Sequence, residues 1–326
     1  MDEFDLIETY FTWENSSSRA DSEDTIAVSV GDDAAVLNIP PNTQLVTSTD
    51  TLVSGVHFPE NTSAEAIGHK ALAVNLSDLA AMGAKPAWFT LALTLPEIDY
   101  DWLREFSRGL KKLAQQFQIA LVGGDTTRGP LTISIQVMGI VDNNQALLRS
   151  GAIAGDKVYV TGTLGDAAAG LDSVIKNLNL SEDDKDYCEQ RLNYPQPRLL
   201  ESDTIRDYAT SCIDISDGLL QDITHILKAS NKGAELDLSS IPLSQALSKI
   251  DKNQSLGYAL SGGDDYELLF TIPSEAESVF LEKMQKPGYQ ITCIGVINEL
   301  YGSLVDTEGN NLMSKGYTHF FGKAFR

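Results

Sequence analysis

The residues with chemical potential gather in a few short segments: Gly31-Asp32-Asp33, Ser48-Thr49-Asp50, Asn75 with Asp78, Gly123-Gly124-Asp125, Asp214-Ile215-Ser216-Asp217-Gly218, and Ser261 to Glu267. Solvated surface acid is usually interspersed with lysine on helix faces. These segments have almost no lysine and are edged by glycine, which lets backbone come close to a ligand. Asp78 is the sharpest case, because Ile67, Ala71, Val74 and Met82 make the rest of its helical stripe apolar. Two carboxylates about 4 Å apart repel by about 4 kcal/mol at an effective dielectric near 20, so gathering several of them calls for a cation. Carboxylates and hydroxyls are hard oxygen donors, which suit magnesium together with phosphate oxygens.

Other phosphate and metal chemistries fit less well. The segment Asp214 to Gly218 has glycine at its fifth position, whereas a calcium loop of the EF-hand type needs it at the sixth. No G-x-x-x-x-G-K-[ST], no G-x-G-x-x-G and no protein-kinase signature occurs. Nucleotide phosphates would therefore be held by metal, backbone and occasional arginine.

Behind these segments stands a chain of 326 residues with a net charge of −22 and a pI near 4.4. That balance argues against a nucleic-acid surface, which runs on cationic groups. The three cysteines, Cys188, Cys212 and Cys293, contain no C-x-x-C and suggest neither a disulfide framework nor a zinc site. The sequence begins with an acidic segment instead of a basic one followed by an apolar run, and has no apolar stretch of 18 residues. A cytoplasmic protein, neither exported nor membrane-spanning, is expected.

The elements that must position the acid follow from periodicity. Residues 2–13 read as a short amphipathic helix, 14–25 as loop, and 26–30, 34–37 and 44–49 as strands. A long helix over 63–82 ends at Gly83, followed by strand 88–95, helix 102–117 and strands 119–122 and 131–141. The polar stretch 142–156 is the expected boundary. Beyond it come strand 157–161, a glycine turn at 162–165, a helix from 166, helices near 184–192 and 198–209, strand 211–215 and helix 217–229. Strand 234–238, a helix near 243–250, strand 266–272, a helix near 275–285 and strand 290–296 complete the pattern. The length and this alternation predict an α/β (α+β) chain of two domains, 1–148 and 149–326.

In order along the chain, GDDAAVL, STDTLVSGVHF, HKALAVNLSDLAAMGAKP, LVGGDTTRGP, GDKVYVTGTLGDAAAGL, DISDGLLQD and SGGDDYEL resemble the thiamine-monophosphate kinase family. That family lies in the superfamily of aminoimidazole-ribonucleotide synthetase and selenophosphate synthetase, and the resemblance covers nearly the whole chain. It implies an N-terminal mixed sheet with helices, carrying metal and ATP residues and forming a homodimer. It also implies a C-terminal α/β layered domain with ATP and substrate contacts. The implied reaction is phosphorylation of thiamine monophosphate by ATP, the last step of thiamine diphosphate formation, by direct in-line transfer with several magnesium ions.

Carried over by position, Asp33, Ser48, Thr49, Asp50, Asp78, Asp125, Asp214 and Asp217 match the magnesium shell. Gly124, Asp125, Arg149 and Ser216 match ATP contacts, and His57, Glu267 and Phe320 match positions lining the substrate pocket. No general base or covalent nucleophile is implied. Asp264 stands where the family commonly has Glu, and its role is left open. The alternatives are another ATP-dependent enzyme of the superfamily and a non-catalytic divalent-cation binding protein.

Overall fold

The run from Ala66 to Ser77 is buried on every side, as expected of a helix packed between layers instead of on a surface. It forms α2 (Ala64–Ala81), and Gly83 (φ 66°) ends it in the left-handed region open to glycine. The computed structural model describes residues 3–13, 25–176, 178–285 and 289–312, which fall into two compact units divided between Gln145 and Ala146, with residues 80–83 of the α2 end grouped with the second. No helix among the described residues is long and apolar enough to cross a membrane.

The first unit begins with α1 (Glu3–Phe11), the short pair β1 (Ile26–Val28) and β2 (Val36–Leu37), and β3 (Thr43–Val53). After α2 come β4 (Lys85–Leu95), α3 (Tyr100–Phe117), β5 (Ala120–Arg128) and β6 (Thr132–Asp142). Four of these strands make a mixed sheet in the order β3-β6-β4-β5, parallel only between β4 and β5. Asp99 caps α3 by accepting the N–H groups of Asp101 and Trp102. Gly68 and Gly109 let α2 and α3 touch: a Cβ on either would strike the other helix's backbone.

The second unit contains β7 (Lys157–Thr161), α4 (Asp166–Lys176), α5 (Glu182–Asn193), α6 (Leu199–Arg206), β8 (Ser211–Ile215), α7 (Leu219–Ser230) and β9 (Gly233–Leu236). It continues through α8 (Lys252–Ser261), β10 (Glu267–Ile272), α9 (Glu277–Met284), β11 (Ile291–Asn298) and β12 (Leu304–Asp306). The six-stranded sheet runs β12-β9-β11-β7-β10-β8 and is antiparallel except where β12 joins β9. β8 and β10 are covered on both faces, with every residue buried, whereas Glu235 of β9 is exposed and β11 is mostly half-buried.

The structure differs from the expected elements in three places. The glycine-rich segment 123–128, outside the expected strands 119–122 and 131–141, is also strand, because pairing with β4 runs on from Trp88–Ala120 to Leu95–Arg128. The expected helix near 243–250 is only a 3-10 turn at Leu247–Lys249, and the helix lies next along the chain as α8, with Asp251 accepting from the amides of Asn253 and Gln254. Its central Gly257 and polar first turn hide it from periodicity. β12 is too short to carry a periodic signal and forms by pairing with β9.

Candidate active site

In the first unit, β3 and α2 bring three of the expected metal residues together. Side chains alternate along a strand, so Ser48 and Asp50 leave β3 on one face and Thr49 on the other. On the shared face, the Ser48 hydroxyl donates to Asp78 Oδ2 at 2.5 Å, and the Asp50 amide donates to Asn75 Oδ1 at 3.1 Å. Asn75 is itself held by donating Nδ2 to the Ala71 carbonyl one turn back. Burial, and then the nearby Asp78 charge, push the Asp50 carboxyl up to about 6. Asp50 and Asp78 are thus two half-buried carboxylates brought onto one face. Asp78 is itself only partly buried, where helical spacing alone pointed to a place among apolar neighbours.

A second set lies on the other edge of the sheet. Asp33, Gly124 and Asp125 line a groove of about 860 Å³ together with Glu8 and Phe11 of α1 and Thr90 of β4. Gly124 passes so close to the Leu91 carbonyl that a Cβ would collide with it, which explains glycine there. Register sets the distance between the two sets: Asp50 pairs with Ile135, Ile135 with Leu91, and Leu91 with Gly124. Asp50 and Gly124 therefore stand on one cross-sheet row, three strand spacings or roughly 14 Å apart. Among the described residues no three carboxylate, imidazole or thiol groups close into one metal-binding cluster.

His57 sits just after β3, half-buried, and its ring Nδ1 accepts the Val53 amide at 3.0 Å. That bond places any proton of the neutral ring on Nε2.

The second unit presents Asp214, Ser216 and Asp217 at the end of β8 and the start of α7. Asp214 is buried on β8 opposite Leu268; Ser216 and Asp217 are partly exposed, and Gln221 donates to Asp217 Oδ2 at 2.8 Å. The turn packs backbone to backbone on the segment 261–266: the Asp264 and Tyr266 amides donate to the Ser216 and Ile215 carbonyls, both at 2.9 Å. Gly218 (φ 119°) and Gly263 make this approach possible, since a Cβ on Gly263 would run into the Ser216 carbonyl. Asp264, half-buried at φ 69°, is thereby placed beside Ser216. Arg149 is exposed, and the segment it belongs to runs along β8, where the Cys212 amide donates to the Leu148 carbonyl.

Glu267 occupies a different environment from the other expected residues. It is fully buried, with Arg198 forking onto both carboxylate oxygens at 2.6 Å, Arg191 on Oε1 at 2.6 Å and the Thr161 hydroxyl on Oε2 at 2.6 Å. Burial alone would raise its pKa, but the charges and hydrogen bonds of Arg198 and Arg191 outweigh it and hold the carboxyl below its ordinary value. Beside it, burial pushes Asp265 well above the usual carboxylate range. Phe320 lies outside the described residues.

Periodicity and motif spacing missed Arg191, Arg198 and Asp222. The arginines lie on and after α5, far in sequence from Glu267, and carry no local signal. Asp222 was within reach, because it closes the segment DISDGLLQD.

Residues 31–141 match the model for the N-terminal domain of AIR synthase related proteins, and 154–304 that for the C-terminal domain. The chain is 48% identical to thiamine-monophosphate kinase of Escherichia coli (strain K12) over 323 residues, 98% of each protein. The thiamine-monophosphate kinase of Stenotrophomonas maltophilia K279a is 45% identical, with a TM-score of 0.84 over 89% of this chain and 93% of that one. AaThiL complexed with AMPPCP and TMP is 35% identical, with a TM-score of 0.78 over 89% and 92% of the two chains. With both domain models matched in order and relatives similar along almost their entire length, this chain belongs to the thiamine-monophosphate kinase family of AIR synthase related proteins.

Proposed function

We propose that this chain transfers the γ-phosphoryl group of ATP to thiamine monophosphate with magnesium, giving thiamine diphosphate and ADP. The observation that carries the reading is the full-length identity to thiamine-monophosphate kinases, joined by a related structure that holds an ATP analogue and TMP. Cytoplasmic location is part of the proposal.

The acceptor is a phosphate monoester whose second pKa lies near 6, so its oxygen is already largely ionised at neutral pH. No general base is needed. The barrier is repulsion between two anions, and in-line positioning with charge neutralisation lowers it. Asp33, Ser48, Thr49, Asp50, Asp78, Asp125, Asp214 and Asp217 are the residues we assign to magnesium. The oxygen-only donor set and the raised Asp50 carboxyl beside Asp78 fit a hard dication. Bound there, magnesium supplies neutralisation of the phosphate oxygens.

Thr49 leaves β3 on the face opposite Ser48 and Asp50. Gly124, Asp125, Arg149 and Ser216 are assigned to ATP. His57 offers its Nε2–H to the substrate, Phe320 an aromatic face to the cationic thiazolium ring, and Glu267 acts through Arg191 and Arg198. We assign residues 1–148 to the metal, ATP and dimer functions and 149–326 to further ATP and substrate contacts; the division of the compact units near 145 supports that boundary.

A homodimer belongs to the same reading. Two metal-type sets stand on opposite edges of one sheet, and a two-fold pairing of the β5 edge of one copy with the β3 edge of the other would bring them side by side.

A coupled assay of ADP release tests the function. ADP should form only when thiamine monophosphate, ATP and magnesium are all present. Release driven by another acceptor and indifferent to thiamine monophosphate would overturn the reading.

A further inference from the structure

Asp222 has no exposed surface to offer a ligand, being 2% exposed, yet it is bound directly to the turn that carries the site. A single oxygen, Oδ2, accepts the amide of Asp217 at 3.1 Å and that of Gly218 at 3.0 Å. These amides belong to the N-cap residue of α7, Gly218, and to the residue before it. Asp222 therefore reaches back from inside the helix onto the N-cap amide, as the acidic member of a capping box does. The turn it fixes is the one whose backbone conformation decides where the Ser216 and Asp217 side chains point. The same turn is held on its far side by the Asp264 amide on the Ser216 carbonyl.

We propose that Asp222 is a positioning residue for phosphoryl transfer: through Oδ2 it locks the backbone of residues 216–218, so that Asp217 and Ser216 are presented to magnesium and nucleotide without reorganisation. This rests on the assignment of Asp217 to magnesium. The essential feature is one acceptor oxygen at a fixed place, not its charge. An amide in the same position supplies that acceptor, whereas a methyl group leaves the amides of Asp217 and Gly218 without it.

The test uses the full chain and the variants Asp222→Asn, Asp222→Ala and Asp217→Asn, each checked for folding by circular dichroism. Magnesium binding is measured by calorimetry without substrates, and activity across a magnesium titration. Asp222→Ala should raise the half-saturating magnesium concentration at least about fivefold and lower kcat at least about tenfold, with KM for thiamine monophosphate within about twofold. Asp222→Asn should restore both to within about threefold of wild type. Amide exchange in the peptide covering 214–220 should speed up in Asp222→Ala and stay slow in Asp222→Asn.

If Asp222→Ala does not fold, the Asn variant decides alone. Near-wild-type magnesium binding with slow exchange supports the proposal, and lost binding in a folded protein overturns it. A folded Asp222→Ala with unchanged magnesium dependence and kcat also overturns it. If Asp217→Asn leaves magnesium binding unchanged, the metal assignment of Asp217 fails, and the role proposed for Asp222 fails with it. Unchanged binding in Asp222→Ala alone, with binding lost in Asp217→Asn, would remove only the positioning role.

Discussion

Arg198 meets Glu267 as a planar fork, Nε on Oε2 and Nη2 on Oε1, both at 2.6 Å, deep in the second unit. Both oxygens of the carboxylate are thereby committed within the chain, and Arg191 and Thr161 add a further bond to each. A Cβ on Gly162 would strike this carboxylate, so the glycine turn after β7 is shaped around it.

Glu267→Gln leaves two buried guanidinium groups facing a neutral amide. Loss of one member of a buried ion pair typically costs about 3–5 kcal/mol, so denaturant unfolding should show a loss of that order. KM for thiamine monophosphate should rise as the arginines relax. An unchanged unfolding midpoint would show that the arginines find other partners.

Asp50 gives a pH prediction of definite sign. Its folded carboxyl is raised to about 6 from an unfolded value of 3.8, so the folded state holds the extra proton between those values. Its contribution to stability is full below the unfolded value and is lost as pH rises through about 6. In metal-free protein, Asp50→Asn should match wild type near pH 4 and be more stable above pH 6, by at most about 3 kcal/mol, less the screening of a partly exposed site. Magnesium should remove the advantage by stabilising wild type alone. Equal stability of the two metal-free proteins at pH 7.5 would contradict the raised carboxyl.

Asp78→Asn, Asp125→Asn and Asp217→Asn should each lower turnover at least about a hundredfold, since removing a preorganised charge-stabilising group typically costs several kcal/mol. Circular dichroism should remain that of wild type. Near-normal activity in any two of these variants at saturating magnesium would remove the metal assignment.

The dimer should appear in light scattering at twice the chain mass of 35.4 kDa. A charge placed at the β3 edge, as in Leu45→Lys, an exposed position, should shift that mass toward the monomer. A monomer of full activity at micromolar concentration would exclude the dimer reading.

The sequence by itself determined the family and the nature of the donors. The order and spacing of the motifs, and carboxylates set among glycine and hydroxyl residues instead of lysine, are local properties that need no fold to be read. It also determined α2, because a continuous buried run bounded by Gly83 has one stable solution. What the tertiary structure alone decided is which of these residues share a surface. Asp50 faces Asp78 because strand pairing sets β3 in one register, and a slip of one residue would have turned Thr49 inward in its place. Asp50 and Asp125 are equally acidic in the sequence but stand on opposite edges of a sheet whose order does not follow the chain. Glu267, which the resemblance places at the substrate pocket, is held by Arg191 and Arg198, about seventy residues away in the chain. Burying a carboxylate requires compensating charge, but that charge can come from any part of the chain, and only the packed structure shows where.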